Sequence, residues 1–379
     1  MKNLKHVIGI SGGKDSAALA IFLHEKFPSI DLNCYFCDTG KELDETYQLI
    51  ENIEIYLGKK VEFLKPEAAK KADENPFDYY YKAYRGYLPS SVARWCTKQM
   101  KLDPFEEYVG HDPVVSYVGI RGDEDREGYI SKKTNIQSIF PFRRNIWSDD
   151  VVRKILANGN RDNLKEVYSS IVSGPELDRV VKIIDAEVKL EERNPKQNRR
   201  VFLDKQNQLL DRGVVGFNHA AFEWLKSTEY PLAQETDFPL LDNEDNLNRA
   251  DIFKILEESG VGVPNYYKKL EYEVDGEKGE YARSRSGCFF CFFQQKIEWV
   301  WLYEQHPDLF LQAQYYEKVD EGFTWNQEES LDDIKSPARI EQIKRDHLKR
   351  SNKAKSKGSS FLIDILDDTE GESCIACFV

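Results

Sequence analysis

The segment Ser11-Gly12-Gly13-Lys14-Asp15-Ser16 puts two glycines, a cation and two hydroxyls into six residues. These are the residue types a phosphate cradle needs. Gly12 and Gly13 let the backbone turn tightly and approach an anion with no Cβ in the way. An apolar run, Val7 to Ile10, enters the glycines, and an amphipathic stretch from Ala17 to Lys26 leaves them. The unpaired N–H groups and positive dipole end of a helix starting there would point at the phosphates. The spacing is not that of the common nucleoside-triphosphatase loop, which places four residues between its glycine and Gly-Lys-Ser/Thr. An ordinary glycine turn before a helix is the alternative reading of the same residues.

Charge and sulfur are grouped elsewhere along the chain. Arg121 and Arg126 follow an expected strand tip, and Arg283 and Arg285 precede a cysteine pair, with Arg143 and Arg144 as further candidates. Arginine offers phosphate a planar fork of donors, and Asp38 suits a nucleotide-bound Mg²⁺. The seven cysteines fall as Cys34/Cys37, Cys96, Cys288/Cys291 and Cys374/Cys377. An odd number with no secretory signal argues against a disulfide framework. Cys288 and Cys291, after Gly287, are spaced so that both thiols can face one metal. Cys34 and Cys37 lie on an expected strand, where positions three apart project to opposite faces, and read as small buried side chains. Redox work, ligation and no role remain open for Cys374/Cys377.

The loop Ser11–Ser16 resembles the pyrophosphate-binding loop of the N-type ATP pyrophosphatases, which split ATP between its α and β phosphates. Asp38-Thr39-Gly40, with Glu42 and Thr46 beyond it, and Gly119-Ile-Arg121-Gly-Asp-Glu-Asp-Arg126 are similar to the phosphoadenylyl-sulfate reductase superfamily. Arg94-Trp-Cys96-Thr resembles the segment that joins a later Cys-x-x-Cys pair in iron–sulfur members, in particular the ATP-pyrophosphatase component of DNA phosphorothioation systems. The resemblance implies an α/β, doubly wound parallel-sheet core of the adenine nucleotide alpha hydrolase-like kind. It implies ATP and Mg²⁺, and a [4Fe–4S] cluster on Cys96, Cys288 and Cys291, with zinc as the alternative metal and no obvious fourth thiolate. Lys14, Asp15, Asp38 and Arg121 are then the expected catalytic residues. Ser11, Gly12, Gly13, Ser16, Thr39, Gly40, Gly119, Arg126, Arg283 and Arg285 complete the expected nucleotide site. The implied reaction is adenylylation of an acceptor, DNA or tRNA, after which sulfur displaces AMP. A cysteine desulfurase is the implied type of sulfur donor, and other subunits of a phage-defence complex are possible partners. A sulfonucleotide (PAPS/APS) reductase and a nucleotide-sensing subunit of a defence complex are the alternatives.

Such residues need a scaffold that brings them to one edge. Apolar runs predict strands near 6–10, 32–37, 61–65 and 114–120, and helices over 14–27, 43–58 and 97–109. That alternation reads as a parallel sheet with crossover helices. Helical spacing without β-branched runs dominates 148–235, giving the division 1–147 nucleotide-binding domain, 148–235 inserted helical subdomain, 236–335 cysteine-bearing remainder of the core, and 336–379 tail. Between Ser336 and Lys357, eight Lys/Arg stand against two acids, a candidate nucleic-acid contact. The whole chain carries −13, so any such contact must be local. Its apolar runs, Cys288–Phe293 and Trp299–Tyr303 among them, are far shorter than the ~20 residues a membrane helix needs. A cytoplasmic protein is the expectation.

Overall fold

The computed structural model describes residues 4–125, 131, 133–191, 194–326 and 328–356. Five strands, β1 (Lys5–Gly9), β2 (Leu32–Cys37), β3 (Val61–Leu64), β4 (Val114–Tyr117) and β5 (Ile136–Ile139), form one sheet in the order β3-β2-β1-β4-β5. Every pairing is parallel, so each needs a crossover. The helices Lys14–Lys26 and Asp44–Leu57 supply the first two. Alternation along the strands serves both faces. Ile8, Cys34 and Val115 join Ala17–Leu23 of the first helix in one apolar cluster. Val7, Tyr35, Cys37 and Val114 join Phe105 and Val109 on the other face. This is the expected doubly wound α/β core. Strand order reverses at β1, and ligands in such sheets sit outside the carboxyl ends at that point.

The first helix, which presents Lys14, is firmly held. Ala17 to Leu23 are all buried, between the sheet and the helices Asp44–Leu57 and Arg249–Glu258. Burying each Leu or Ile there contributes roughly 1.5–3 kcal/mol. The expected third helix is less regular. It begins with a turn at Trp95–Thr97, widens to a π turn at Lys98–Leu102 and continues as Asp103–Val109. Pro104 has no amide to bond back into the preceding turn, which accounts for the irregularity there.

Helices Asp149–Ile155, Arg161–Ile171, Pro175–Asp185, Pro195–Leu210 and Val214–Leu225 follow β5. Val151, Leu164, Phe217 and Leu225 are buried in the same cluster as Ile139 and Phe142, so these helices share a core with the sheet. A separate, aromatic-rich cluster contains Phe77, Trp95, Tyr266, Phe289, Phe290, Trp299 and Trp325. It is closed by a hairpin of β6 (Leu270–Val274) and β7 (Glu277–Tyr281). Asp275 and Gly276 turn that hairpin at φ 52° and 76°, the left-handed pair of a type I′ turn. The basic segment forms the helix Pro337–Ser356. Three of its cations are engaged: Arg339 with Glu329, Lys344 with Glu304 and Arg345 with Asp275. No helix among the described residues is long and apolar enough to cross a membrane.

Candidate functional site

Between β1 and its helix, the loop is tied to itself and to a distant segment. Ser11 N–H and Ser11 Oγ both meet Ser16 Oγ at 3.1 Å, and Ser16 Oγ donates to Gly13 O at 3.1 Å. Gly12 takes φ +72°, and a Cβ there would lie 2.2 Å from Thr46 Cγ2. Only glycine fits both the torsion and the contact. The helix has no side-chain cap. Instead Lys14 N–H donates to Tyr267 OH at 3.3 Å, while Tyr266 OH donates to Gly12 O at 2.6 Å. Tyr266 thus holds the Gly12 carbonyl on a protein donor. That favours presentation of amides, not carbonyls, toward an anion.

Lys14 is completely buried, and its Nζ lies 3.1 Å from Asp15 Oδ2 and 5.3 Å from the Tyr267 ring centre. The other Asp15 oxygen receives Arg121 Nη1 at 2.9 Å. Arg121 also contacts Asp123 at 2.9 Å and Glu124 at 2.8 Å. Gly119 lets β4's exit pass close to this group, since a Cβ there would sit 3.0 Å from Asp15 O. Lys14, Asp15 and Arg121 therefore form one buried ionic chain across the carboxyl ends of β1 and β4. Arg143 buttresses it by donating to the Arg121 and Glu124 carbonyls at 3.2 and 3.0 Å. Arg144 instead meets Asp211 at 3.0 Å, away from the loop. Arg126 lies outside the described residues.

The tip of β2 builds a second cluster. Asp38 accepts from Gly40 N–H at 2.8 Å and Tyr47 OH at 2.9 Å, and pairs with Lys65 at 3.1 Å. Thr39 Oγ1 donates to Glu42 at 2.6 Å and lies 3.1 Å from Cys288 Sγ. Burial and nearby Asp38 hold the Glu42 carboxyl above the usual range. Burial and then Glu42 hold the Cys288 thiol well up. Gly40 is at φ +72°, packed on Asn75, whose Nδ2 donates to Gly40 O at 2.9 Å.

One segment joins the two clusters. Phe289 N–H donates to Lys41 O at 2.9 Å, and Ser286 packs so close to Gly13 that a Cβ there would meet Ser286 Oγ at 2.7 Å. Arg283 and Arg285 are both buried. Arg283 Nη2 donates to Cys288 O at 3.1 Å, and its Nε and Nη1 have no hydrogen-bond partner among the described residues. The recess bounded by Ser11, Glu42, Lys101 and Gly287 holds about 10 Å³, scarcely room for one water.

The three expected metal ligands are less convergent. Cys291 N–H donates to Cys288 O at 3.1 Å, so the pair shares one turn. Cys96 is half-buried on the turn Trp95–Thr97, against the aromatic cluster. Among the described residues no group of three or more His, Cys, Asp or Glu side chains is arranged to hold a metal ion. Cys288 faces Thr39 and Glu42, surroundings that disfavour the thiolate a cluster or zinc requires. As they stand, these thiols form no metal site among the described residues. Cys374 and Cys377 lie outside the described residues. Cys34 and Cys37 are buried in different clusters on opposite sheet faces, as their spacing predicts.

Sequence reasoning missed Tyr266, Tyr267 and Ser286 because each reaches the loop from more than 250 positions away. Lys65 and Tyr47, which hold Asp38, carry no motif of their own.

A family described as the phosphoadenosine phosphosulfate reductase domain matches residues 5–146. A Methanocaldococcus jannaschii protein described only as uncharacterized protein MJ0066 is 31% identical over 147 residues, 35% of this chain. The match spans 28% of that relative's length. Matched segment, five-stranded parallel sheet and loop geometry coincide. Over residues 5–146 the chain is similar to the phosphoadenosine phosphosulfate reductase domain family.

Proposed function

We propose that the chain is an ATP pyrophosphatase that adenylylates a nucleic-acid acceptor, which sulfur from a donor protein then attacks, displacing AMP. The observation that carries this reading is Lys14, fully buried at an uncapped helix start and oriented by the Asp15–Arg121 ionic chain. With MgATP as substrate, an acceptor oxygen attacks the α-phosphorus and the bond from the α-phosphorus to the α–β bridging oxygen breaks. The acceptor oxygen carries the AMP group, and pyrophosphate leaves. Lys14 and the amides of the first helical turn are placed to stabilise the charge developing on that leaving group. Asp15 keeps Lys14 and Arg121 in register, and Tyr266 keeps the Gly12 carbonyl engaged. A sulfonucleotide reductase is a second reading, favoured by the description of the matched family. Its substrate has no pyrophosphate to release, so that reaction gives Lys14 and the intact loop no leaving group to serve.

Nucleotide products after anaerobic incubation with MgATP, with and without DNA, test the reading. AMP and pyrophosphate that disappear in Lys14→Ala support it. Intact ATP together with sulfite release from a sulfonucleotide would replace it with the reductase.

A further inference from the structure

The longest cationic stretch on this acidic chain that has no acid within it borders the site. Residues 79–102 contain Lys82, Arg85, Arg94, Lys98 and Lys101, and no Asp or Glu. The same stretch contains Tyr79, Tyr80, Tyr81, Tyr84, Tyr87 and Trp95. Two of these rings are presented outward on a packed base. Tyr84 is 39% exposed and stacks on the buried Trp95 at 5.1 Å and 17°. Tyr87 is 40% exposed and braced edge-on by Phe323 at 5.1 Å. Tyr315, 83% exposed, packs on Tyr316, which packs on Tyr81 at 5.0 Å. Exposed aromatic rings fixed from beneath cost little entropy when they stack on a ligand.

A chain of contacts links this segment to the glycine loop. Trp95 is followed back to Arg94, whose guanidinium lies 5.2 Å from the Phe293 ring centre. Arg285 lies over the same ring at 5.5 Å, and its neighbour Ser286 is the residue packed on Gly13. Lys82 and Lys98 form surface pairs with Glu74 and Asp103. Such pairs contribute little and exchange readily for phosphate. The basic helix Pro337–Ser356, by contrast, has Arg339, Lys344 and Arg345 already paired across to its neighbours.

We infer that residues 79–98, with Tyr315, form a docking surface for single-stranded nucleic acid, bases stacking on Tyr84 and Tyr87 and phosphates lying on Arg85, Arg94 and Lys98. The inference rests on the adenylylation reading and specifies the form in which its acceptor arrives. Stacking rings engage bases only when those are free of a duplex, and a cationic border follows the backbone without reading sequence.

Fluorescence anisotropy with labelled oligo-dT and oligo-U on the full chain tests it, an unlabelled duplex of equal length serving as competitor. Salt-sensitive binding to single strands, poorly competed by duplex, is expected. Tyr84→Ala should weaken it roughly 5- to 150-fold, the range for losing one base stack, while Tyr84→Phe retains it. Arg85→Ala should lower the salt slope by about 0.7. The oligo-dT and oligo-U arms assign DNA or RNA. Pyrophosphate should raise the melting temperature of Tyr84→Ala as much as that of the parent, which confirms folding. Absent binding, equal duplex competition or an unaffected Tyr84→Ala overturns the surface, even if ATP is cleaved. Binding without AMP formation refutes the pyrophosphatase and leaves the surface standing.

Discussion

Asp15→Asn isolates the ionic chain that orients Lys14. The carboxylate lies 3.1 Å from Lys14 Nζ and 2.9 Å from Arg121 Nη1, with side chains 5%, 1% and 3% exposed. At an effective dielectric of ~20 each contact amounts to roughly 5 kcal/mol of attraction, largely offset by desolvation. The amide variant keeps the shape and leaves buried Lys14 facing a neutral group, while Arg121 retains Asp123 and Glu124. The expected loss is about 3–5 kcal/mol of stability. Lys14→Met should cost less, because Asp15 then keeps Arg121 as its partner. Thermal unfolding with and without pyrophosphate reads both effects. An anion bound beside Lys14 replaces the missing charge, so pyrophosphate should raise the midpoint of Asp15→Asn more than that of the parent. Two results would refute the reasoning: a midpoint unchanged in Asp15→Asn, or equal pyrophosphate increments in both proteins.

Three other expectations follow from single contacts. Gly12→Ala places a methyl 2.2 Å from Thr46 Cγ2 at φ +72°; a loss of about 2–5 kcal/mol is expected in urea unfolding. Adding Thr46→Ser should recover the steric part and leave the ~1–2 kcal/mol of backbone strain. Arg339 and then Lys296 hold the Glu329 carboxyl down to about 2. Its stabilisation is therefore complete above the ordinary carboxylate range and lost as pH falls from about 4.5 toward 2. After allowance for solvent screening it amounts to about 1–2 kcal/mol, and the pH-dependence of unfolding should flatten correspondingly in Glu329→Gln. Burial pushes both the Cys34 and Cys37 thiols up to about 12. Neither should react with a thiol-specific disulfide reagent until the protein unfolds, a result that mass mapping of labelled cysteines would check.

Much of the nucleotide core was legible because its signals are local. Val7–Ile10 and Leu32–Cys37 are apolar runs ended by glycine or charge, and the first helix starts within the loop that defines it. The edge strand β5 escaped notice because its sequence, Ile-Gln-Ser-Ile, has a polar centre; Gln137 and Ser138 are nonetheless buried. Asp275-Gly276 was a readable hairpin signal that the mixed polarity of Glu271–Glu280 obscured. Lys14, Asp15 and Arg121 converge as their motifs suggest. Cys96, Cys288 and Cys291 do not form a donor set among the described residues, because spacing along the chain says nothing of where a thiol points. Nor could sequence order anticipate that Tyr266, Tyr267 and Ser286 would close over the loop.

The stretch Arg283–Phe289 touches two things at once: Gly13 through Ser286, and the Thr39–Glu42 tip through Cys288 and Phe289. The surroundings of Cys288 and the shape of the glycine loop are therefore mechanically linked. An equilibrium modification of Cys288 that shifts this strap is coupled to anion binding at the loop, and by thermodynamic reciprocity a bound anion shifts that equilibrium by the same factor.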